Sequence, residues 1–236
     1  MAQTSIKRAV ILASGGLDST VAATVTKQEG YALYFLTVSY GQRHRRELDC
    51  ARAVGQALGV CDHRIVEVDL RAIGGSSLTS DQPVPKDRSA KQREGEIPST
   101  YVPGRNTIFL ALATAYAETV AASRICIGAN VVDYSGYPDC RPEFLRAFEG
   151  VARLGTKQGQ TAPLDISAPL LTLSKKEIIA LGVSLQAPLH LTHSCYDPDG
   201  DGIACGRCDS CVIRLEGFWA AGLKDPVPYA VGRASV

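Results

Sequence analysis

The sequence predicts an α/β protein on a doubly wound parallel sheet, with a small C-terminal helical subdomain rich in cysteine. Three observations carry this. Short β-branched and apolar runs of strand length alternate with helix-patterned stretches, the signature of βαβ units. The first such run ends in Ser14-Gly15-Gly16, a turn chemistry suited to a strand-to-helix junction. Four of the eight cysteines, Cys195, Cys205, Cys208 and Cys211, fall within 17 positions near the C-terminus.

The elements follow in order. Residues 6–13 read as a buried strand, 18–29 as a helix closing near Gly30, and 31–40 as a second strand. Residues 43–58 predict a helix with its apolar stripe on Leu48, Ala51, Val54 and Leu58, stopped by Gly59. Residues 63–70 read as a third strand. Residues 71–104 break the pattern with paired glycines, Pro83, Pro85, Pro98, Pro103 and a charged run over 86–96. A connection this long is expected to be functional or mobile, so it reads as a lid. An Ala-rich helix over 106–123, a fourth strand over 124–128 and a helix over 141–154 come next. Ser174 and Glu177 stand at the capping-box spacing and predict a helix over 174–181. A last helix over 208–221 packs on the cysteines. The expected units are residues 1–185, holding the sheet and the lid, and 186–236.

Composition excludes several classes. A chain of 236 residues with 45% hydrophobic and 21% charged residues builds a real core and is not disordered. A formal charge of +1 argues against direct gripping of a nucleic-acid backbone. The first apolar run is too short for a signal-peptide core and no run reaches a membrane span, so a soluble, cytoplasmic protein without membrane partners is expected.

The segment Ser14-Gly15-Gly16-Leu17-Asp18-Ser19-Thr20 reads as a phosphate cradle. Two glycines let the backbone approach an anion, three hydroxyls stand by, and the following helix aims its free N–H groups at the same spot. It is not the P-loop of kinases, because no Gly-Lys-Ser/Thr follows. The competing reading is an ordinary capped turn. Ser-Gly-Gly-x-Asp-Ser after a buried strand resembles the PP-loop of the ATP pyrophosphatase superfamily, which cleaves ATP between its α and β phosphates. That likeness implies an adenine nucleotide alpha hydrolase-like fold, ATP as co-substrate and Mg²⁺. Pyrophosphate departure needs cations, and Lys175, at the start of its helix where related enzymes often supply one, and Arg105 are the candidates.

In the C-terminal cluster, two overlapping Cys-x-x-Cys steps suit tetrahedral Zn²⁺, and four thiolates leave no open position, so one structural zinc is expected. An iron–sulfur cluster or a redox pair are the alternatives. Asp197-Pro198-Asp199-Gly200-Asp201-Gly202 lacks the twelfth-position Glu of a calcium loop and reads as a turn. Cys50, Cys61, Cys126 and Cys140 are scattered, and Cys126 and Cys140 are not expected to be ligands.

Three further segments narrow the resemblance: Tyr40-Gly41-Gln42-Arg43-His44 with Glu47, Tyr101-Val102-Pro103-Gly104-Arg105-Asn106, and residues 128–141 from Gly-Ala-Asn to Asp-Cys-Arg. With the glycine loop and the cysteines, they resemble the 7-cyano-7-deazaguanine synthase family over about residues 6–218. The resemblance implies a ligase in queuosine biosynthesis, acting on 7-carboxy-7-deazaguanine, ammonia and ATP, and a homodimer. It implies that residues 14–20 hold pyrophosphate with Mg²⁺ nearby, and that backbone around Thr37, Val38 and Ser39, with Arg105, frames the nucleotide. Asp133 would accept from the guanine-like N–H donors, with Tyr134, Tyr137 or Tyr101 stacking on the ring. His44 would act as an acid–base group or phosphate ligand, or serve only as a hydrogen-bonded histidine. Two departures stand out: His193 where the family tends to carry Trp, and nine residues between Cys195 and Cys205. The rival readings are a PP-loop tRNA thiolase or lysidine-type ligase, and a zinc-ribbon binding module on a non-catalytic ATP fold.

Overall fold

The computed structural model describes residues 6–94, 97–132 and 137–230. Five strands, β1 (Arg8–Leu12), β2 (Ala32–Ser39), β3 (Asp62–Glu67), β4 (Arg124–Ile127) and β5 (Asp165–Ser167), form one parallel sheet in the order β3-β2-β1-β4-β5. Pairing runs Ala9↔Leu33 on one side of β1 and Ala9↔Arg124 on the other. The order reverses at β1, so a crevice opens beyond the carboxyl ends of β1 and β4.

Alternation along β1 sends Val10 and Leu12 to one face and Ala9, Ile11 and Ala13 to the other, and all five are buried. Helices α4 (Arg105–Thr119) and α5 (Pro142–Gly155) cover the first face through Leu110, Ala113, Leu145 and Phe148. Helices α1 (Leu17–Gln28), α2 (Arg46–Leu58) and α6 (Lys175–Ser184) cover the second through Val21, Val54, Leu58, Ile178 and Ile179. Helix α7 (Asp209–Ala220) packs on α6 and adds Phe218 to that core. Both faces are thus shielded, as an all-parallel sheet requires. None of the helices among the described residues is long and apolar enough to cross a membrane.

Several expectations shift. Strand β5 has no counterpart in the sequence reading; its three residues are too short to show a period. Helix α4 ends at Thr119 rather than 123, and α2 starts at Arg46 rather than 43. Strand β3 stops at Glu67, because Leu70 already begins a 3₁₀ turn whose Arg71 N–H donates to Asp69 Oδ1 at 3.0 Å. The capping box on α6 forms as expected, with the Glu177 N–H donating to Ser174 Oγ at 3.3 Å and the Ser174 N–H to Glu177 Oε2 at 2.8 Å.

The long segment after β3 is packed down along much of its length. Ser76, Ser77, Leu78, Thr79, Val84, Thr100 and Val102 are buried, and a short helix, α3, covers Ala90–Glu94. Its charged run is strapped to the C-terminal cysteines. Lys86 forms an antiparallel bridge with Cys208, the Asp87 N–H donates to Arg207 O at 2.9 Å, and Arg88 pairs with Asp209 at 2.7 Å. Lys86–Asp197 at 2.7 Å and Arg93–Glu216 at 3.0 Å extend the seam on both sides.

Candidate active site and metal centre

The crevice beyond β1 and β4 holds a pocket of ≈ 210 Å³. Its walls come from the ends of three strands: Leu12 to Ser14 at the end of β1, Leu36 to Val38 on β2 with Tyr40 just beyond it, and Ile127 to Asn130 at the end of β4. Arg105, Asn106 and Phe109 of α4, Glu47 of α2, Tyr137, and His193, Ser194, Tyr196 and Ser210 from the C-terminal segment also line it.

Gly15 has φ 80°, and a Cβ there would meet Glu47 O at 2.2 Å, so only glycine lets the loop lie against α2. Ser14 and Ser19 lock its two ends: their hydroxyls lie 3.0 Å apart, and Ser19 Oγ accepts from the Ser14 N–H at 3.2 Å. Ser19 and Thr20 each donate to Gly16 O, at 3.1 and 2.9 Å. The loop is therefore held rigid, with the N-terminus of α1 at its end, the arrangement that binds anions. Thr37 Oγ1 donates to Ala13 O at 2.6 Å and ties β2 to the same turn.

Lys175 opens α6, and its Nζ lies 2.6 and 2.8 Å from the two Asp18 carboxylate oxygens. Its side chain is only 9% exposed. A cation in a helix's first turn opposes the macrodipole, and the Asp18 carboxylate compensates it. The pair places a fixed ammonium beside the phosphate loop. Asn130, 2% exposed, donates to Leu170 O at 3.1 Å and also bonds Leu173 O, joining the end of β4 to the turn before α6.

Arg105, the first residue of α4, stands among Tyr40, Tyr137 and Tyr196. Burial opposes its charge, but these phenols and the Asp139 carboxylate outweigh that, and its pKa is raised. Burial also pushes Tyr40 up to about 12 and Glu47 up to about 7, the latter against the pull of Arg105. Asn106 Nδ2 donates to Asp139 O at 3.1 Å and its N–H to Asp139 Oδ2 at 3.1 Å, holding the turn that carries Tyr137 and Cys140.

The structure brings Ser14, Gly16, Leu17, Asp18, Ser19, Thr37, Val38, Arg105 and Tyr137 to one pocket. Gly15, Thr20 and Lys175 support them from behind, while Ser39 and Tyr101 stay off the walls; Tyr101 packs on Tyr137 with ring centroids 5.5 Å apart. His44 also stays off the walls, and its Nε2 bonds Cys195 O at 2.9 Å. Asp133 and Tyr134 lie outside the described residues. The segments that carry the family resemblance contain Asn106 and Asn130 without a role for either, and Phe109, Ser194, Tyr196 and Ser210 are brought in by tertiary contact alone. Glu47 stands in one of those segments, and its carboxyl's high pKa comes from burial no local pattern shows.

The sulfurs of Cys195, Cys205, Cys208 and Cys211 lie within 4.8 Å of one another. A tetrahedral ion with M–S ~2.3 Å sets sulfurs about 3.8 Å apart, so the set closes on an ion with little movement. Backbone N–H groups of Asp197 and Cys205 donate to Cys195 Sγ, those of Arg207 and Cys208 to Cys205 Sγ, and that of Tyr196 to Cys208 Sγ. Such donors stabilise thiolates, the form that binds metal. The residues fit a closed four-thiolate metal site. The acidic turn beside it is self-satisfied, with Asp199 Oδ1 accepting from the N–H groups of Asp201 and Ile203.

A rigid glycine turn at the switch point of a parallel sheet, backed by a buried lysine, defines an α/β protein with an anion-suited crevice, here with a four-cysteine cluster that could hold a metal ion beside its C-terminal helix. The family model described as "Queuosine biosynthesis protein QueC" matches residues 8–222, and the chain belongs to that family. A protein of Myxococcus xanthus (strain DK1622) named 7-cyano-7-deazaguanine synthase is 55% identical over 225 residues, covering 95% of this chain and 98% of that protein. Proteins of the same name from Anaeromyxobacter sp. (strain Fw109-5) and Desulfatibacillum aliphaticivorans are 55% and 51% identical, covering 97% and 94% of this chain and 99% and 97% of theirs.

Proposed function

We propose that the chain is an ATP-dependent ligase converting 7-carboxy-7-deazaguanine and ammonia to 7-cyano-7-deazaguanine, with release of AMP and pyrophosphate. The observation that carries this is the pocket itself. In a chain of this family, the Ser14–Ser19 turn and Arg105 line the crevice where strand order reverses, and Asp18 holds Lys175 against the turn from behind.

The chemistry needs an oxygen nucleophile held in line with the α phosphate. A carboxylate oxygen attacks that phosphorus, pyrophosphate leaves, and an acyl adenylate forms. Ammonia adds to the carbonyl carbon, loses a proton, and the C–O bond to AMP breaks, giving the amide. The amide oxygen then attacks a second ATP in the same way. Loss of AMP with the two remaining N–H protons leaves the nitrile. Backbone N–H groups at the start of α1, the Ser14 and Ser19 hydroxyls and the Lys175 ammonium would bind the departing pyrophosphate, and Arg105 the nucleotide phosphates. ATP would arrive as its Mg²⁺ complex. Tyr137, with Asp133 and Tyr134, would receive the deazapurine. Cys195, Cys205, Cys208 and Cys211 would hold one structural Zn²⁺, which supplies folding stability and no open coordination position.

The same reading makes the protein a cytoplasmic homodimer that works on small molecules and does not touch RNA; its nitrile enters tRNA modification downstream. The test is incubation with ATP, ammonium and the deazapurine acid, without RNA, followed by mass spectrometry. AMP, pyrophosphate and a nitrile product are expected. Release of ADP and orthophosphate, or turnover with tRNA alone, overturns the proposal.

A further inference from the structure

His193 is a wall between two cavities. It lines the pocket at the strand ends, and it also lines a second cleft of ≈ 330 Å³ formed by Asp49, Cys50 and Ala53 of α2, Leu191, Thr192 and Pro228. Its backbone N–H donates to Gly15 O at 2.9 Å, which fixes it directly behind the phosphate loop. Its ring stands edge-on to His44 at 5.4 Å. The side chain is 6% exposed, and among the described residues its Nε2 finds no hydrogen-bond partner. A buried nitrogen held in one place without a partner is set to receive one.

The size of that partner follows from the reaction. Of three reactants, the nucleotide and the planar acid are large and would fill the first pocket from its open side. The third has a single heavy atom and must still reach the carbonyl carbon. The second cleft shares His193 as a lining residue with the first pocket. Its volume holds several water-sized molecules. The Asp49 carboxylate at its rim is already paired with Arg52 at 2.9 Å, and Arg46 and His190 share the lining, so the cleft suits neutral ammonia rather than a cation.

We propose that the second cleft is the binding site and access route of the nitrogen nucleophile, ammonia drawn from ammonium, with His193 as the positioning residue that hydrogen-bonds it on its way to the phosphate-loop pocket. Nε2 serves in either tautomer, accepting an N–H from ammonia or donating to its lone pair. This rests on the ligase reading, and the experiment separates the two.

Two variants decide it. His193→Phe keeps the ring and removes both nitrogens; Ala53→Phe fills the second cleft, because Ala53 lines that cleft alone. Acid-dependent exchange of labelled pyrophosphate into ATP, run without ammonium, reports adenylation; amide formation against ammonium concentration reports the second reactant. For both variants the KM for ammonium should rise about tenfold while the KM for ATP stays within about twofold, the effect of one lost hydrogen bond or a blocked route. Exchange by Ala53→Phe should match the wild type. An unchanged ammonium KM in Ala53→Phe with exchange intact overturns the inference. So does a His193→Phe variant whose ATP and ammonium KM values rise together. Absence of acid-dependent exchange in the wild type overturns the ligase reading instead, and this inference with it.

Discussion

Lys175 and Glu47 are the side chains whose surroundings make the sharpest demands. The Lys175 ammonium is held by both Asp18 oxygens and is 9% exposed, so it is in place before any ligand arrives. Replacing it by Met should cut acid-dependent pyrophosphate exchange about 10²–10³-fold, the usual effect of removing one preorganised donor. A loss below about threefold would make Lys175 a structural partner of Asp18 only. Glu47 behaves differently. Burial raises its pKa from the usual 4.5 to about 7. A carboxyl raised in the fold favours its protonated form there, so stability falls as pH climbs from 4.5 through 7 and the loss is complete above it. Glu47→Gln should therefore stabilise the protein by about 1–3 kcal/mol at pH 8.5 and by much less at pH 5, read from urea midpoints. An equal gain at both values would mean the carboxyl is not held protonated. The residues legible in the sequence were those whose partners are close in the chain, as in Ser14–Thr20 and the Cys205–Cys211 knuckle. Asp18 and Lys175 were each visible, but their pairing spans 157 positions and no local pattern encodes it.

Elements show the same division between local and distant causes. Helix starts were readable where a side chain caps them, as Ser174 and Glu177 do for α6. Strand β5 was not, because its three residues are recruited by pairing with Arg124, Ile125 and Cys126 of β4 rather than by their own pattern. The packing of α7 on α6 hinges on Gly217, where a Cβ would meet Lys175 Cγ at 2.4 Å and Ile179 Cδ1 at 2.9 Å. Gly217→Ala should lower stability by about 1–3 kcal/mol through overpacking and also displace Lys175, so exchange activity falls with the melting temperature. A stability loss with full activity would show that α7 shifts away as a body and leaves Lys175 in place. The strap over residues 84–94 makes a second demand. Its bonds run to Asp197, Arg207, Cys208, Asp209 and Glu216, all in or beside the cysteine knuckle. Removing the metal with a chelator should release this segment before the sheet unfolds. Limited trypsin digestion would then cut at Lys86, Arg88, Lys91 or Arg93 in the metal-free protein and not in the loaded one. Equal resistance in both forms would show that the strap holds without the metal.

At the scale of the whole molecule, the sheet and the C-terminal segment share their cores. Leu189 and Phe218 sit in the same buried cluster as Val21, Ile178 and Ile179, and Cys195, Cys208 and Cys211 in the same cluster as Val38, Tyr40 and Val102. Arg214, 3% exposed, is tied to Asp225 at 2.7 Å and to Thr192 at 2.7 Å, closing the segment on itself. A change from Phe or Leu to Ala in such a core costs about 2–5 kcal/mol, against a typical net stability of about 5–15 kcal/mol. Removing residues 186–236 deletes Leu189, Phe218 and the whole cysteine cluster together, so the loss reaches the total stability of the rest. It also removes His193, Ser194, Tyr196 and Ser210 from the pocket wall. A chain of residues 1–185 should therefore show no cooperative melting transition by circular dichroism and no nucleotide-dependent shift in it. A cooperative transition that ATP raises would mean the phosphate loop and its sheet form a self-sufficient unit. In that case the alternating strands and helices alone would suffice to build the fold, and the cysteine segment would serve only to wall the site.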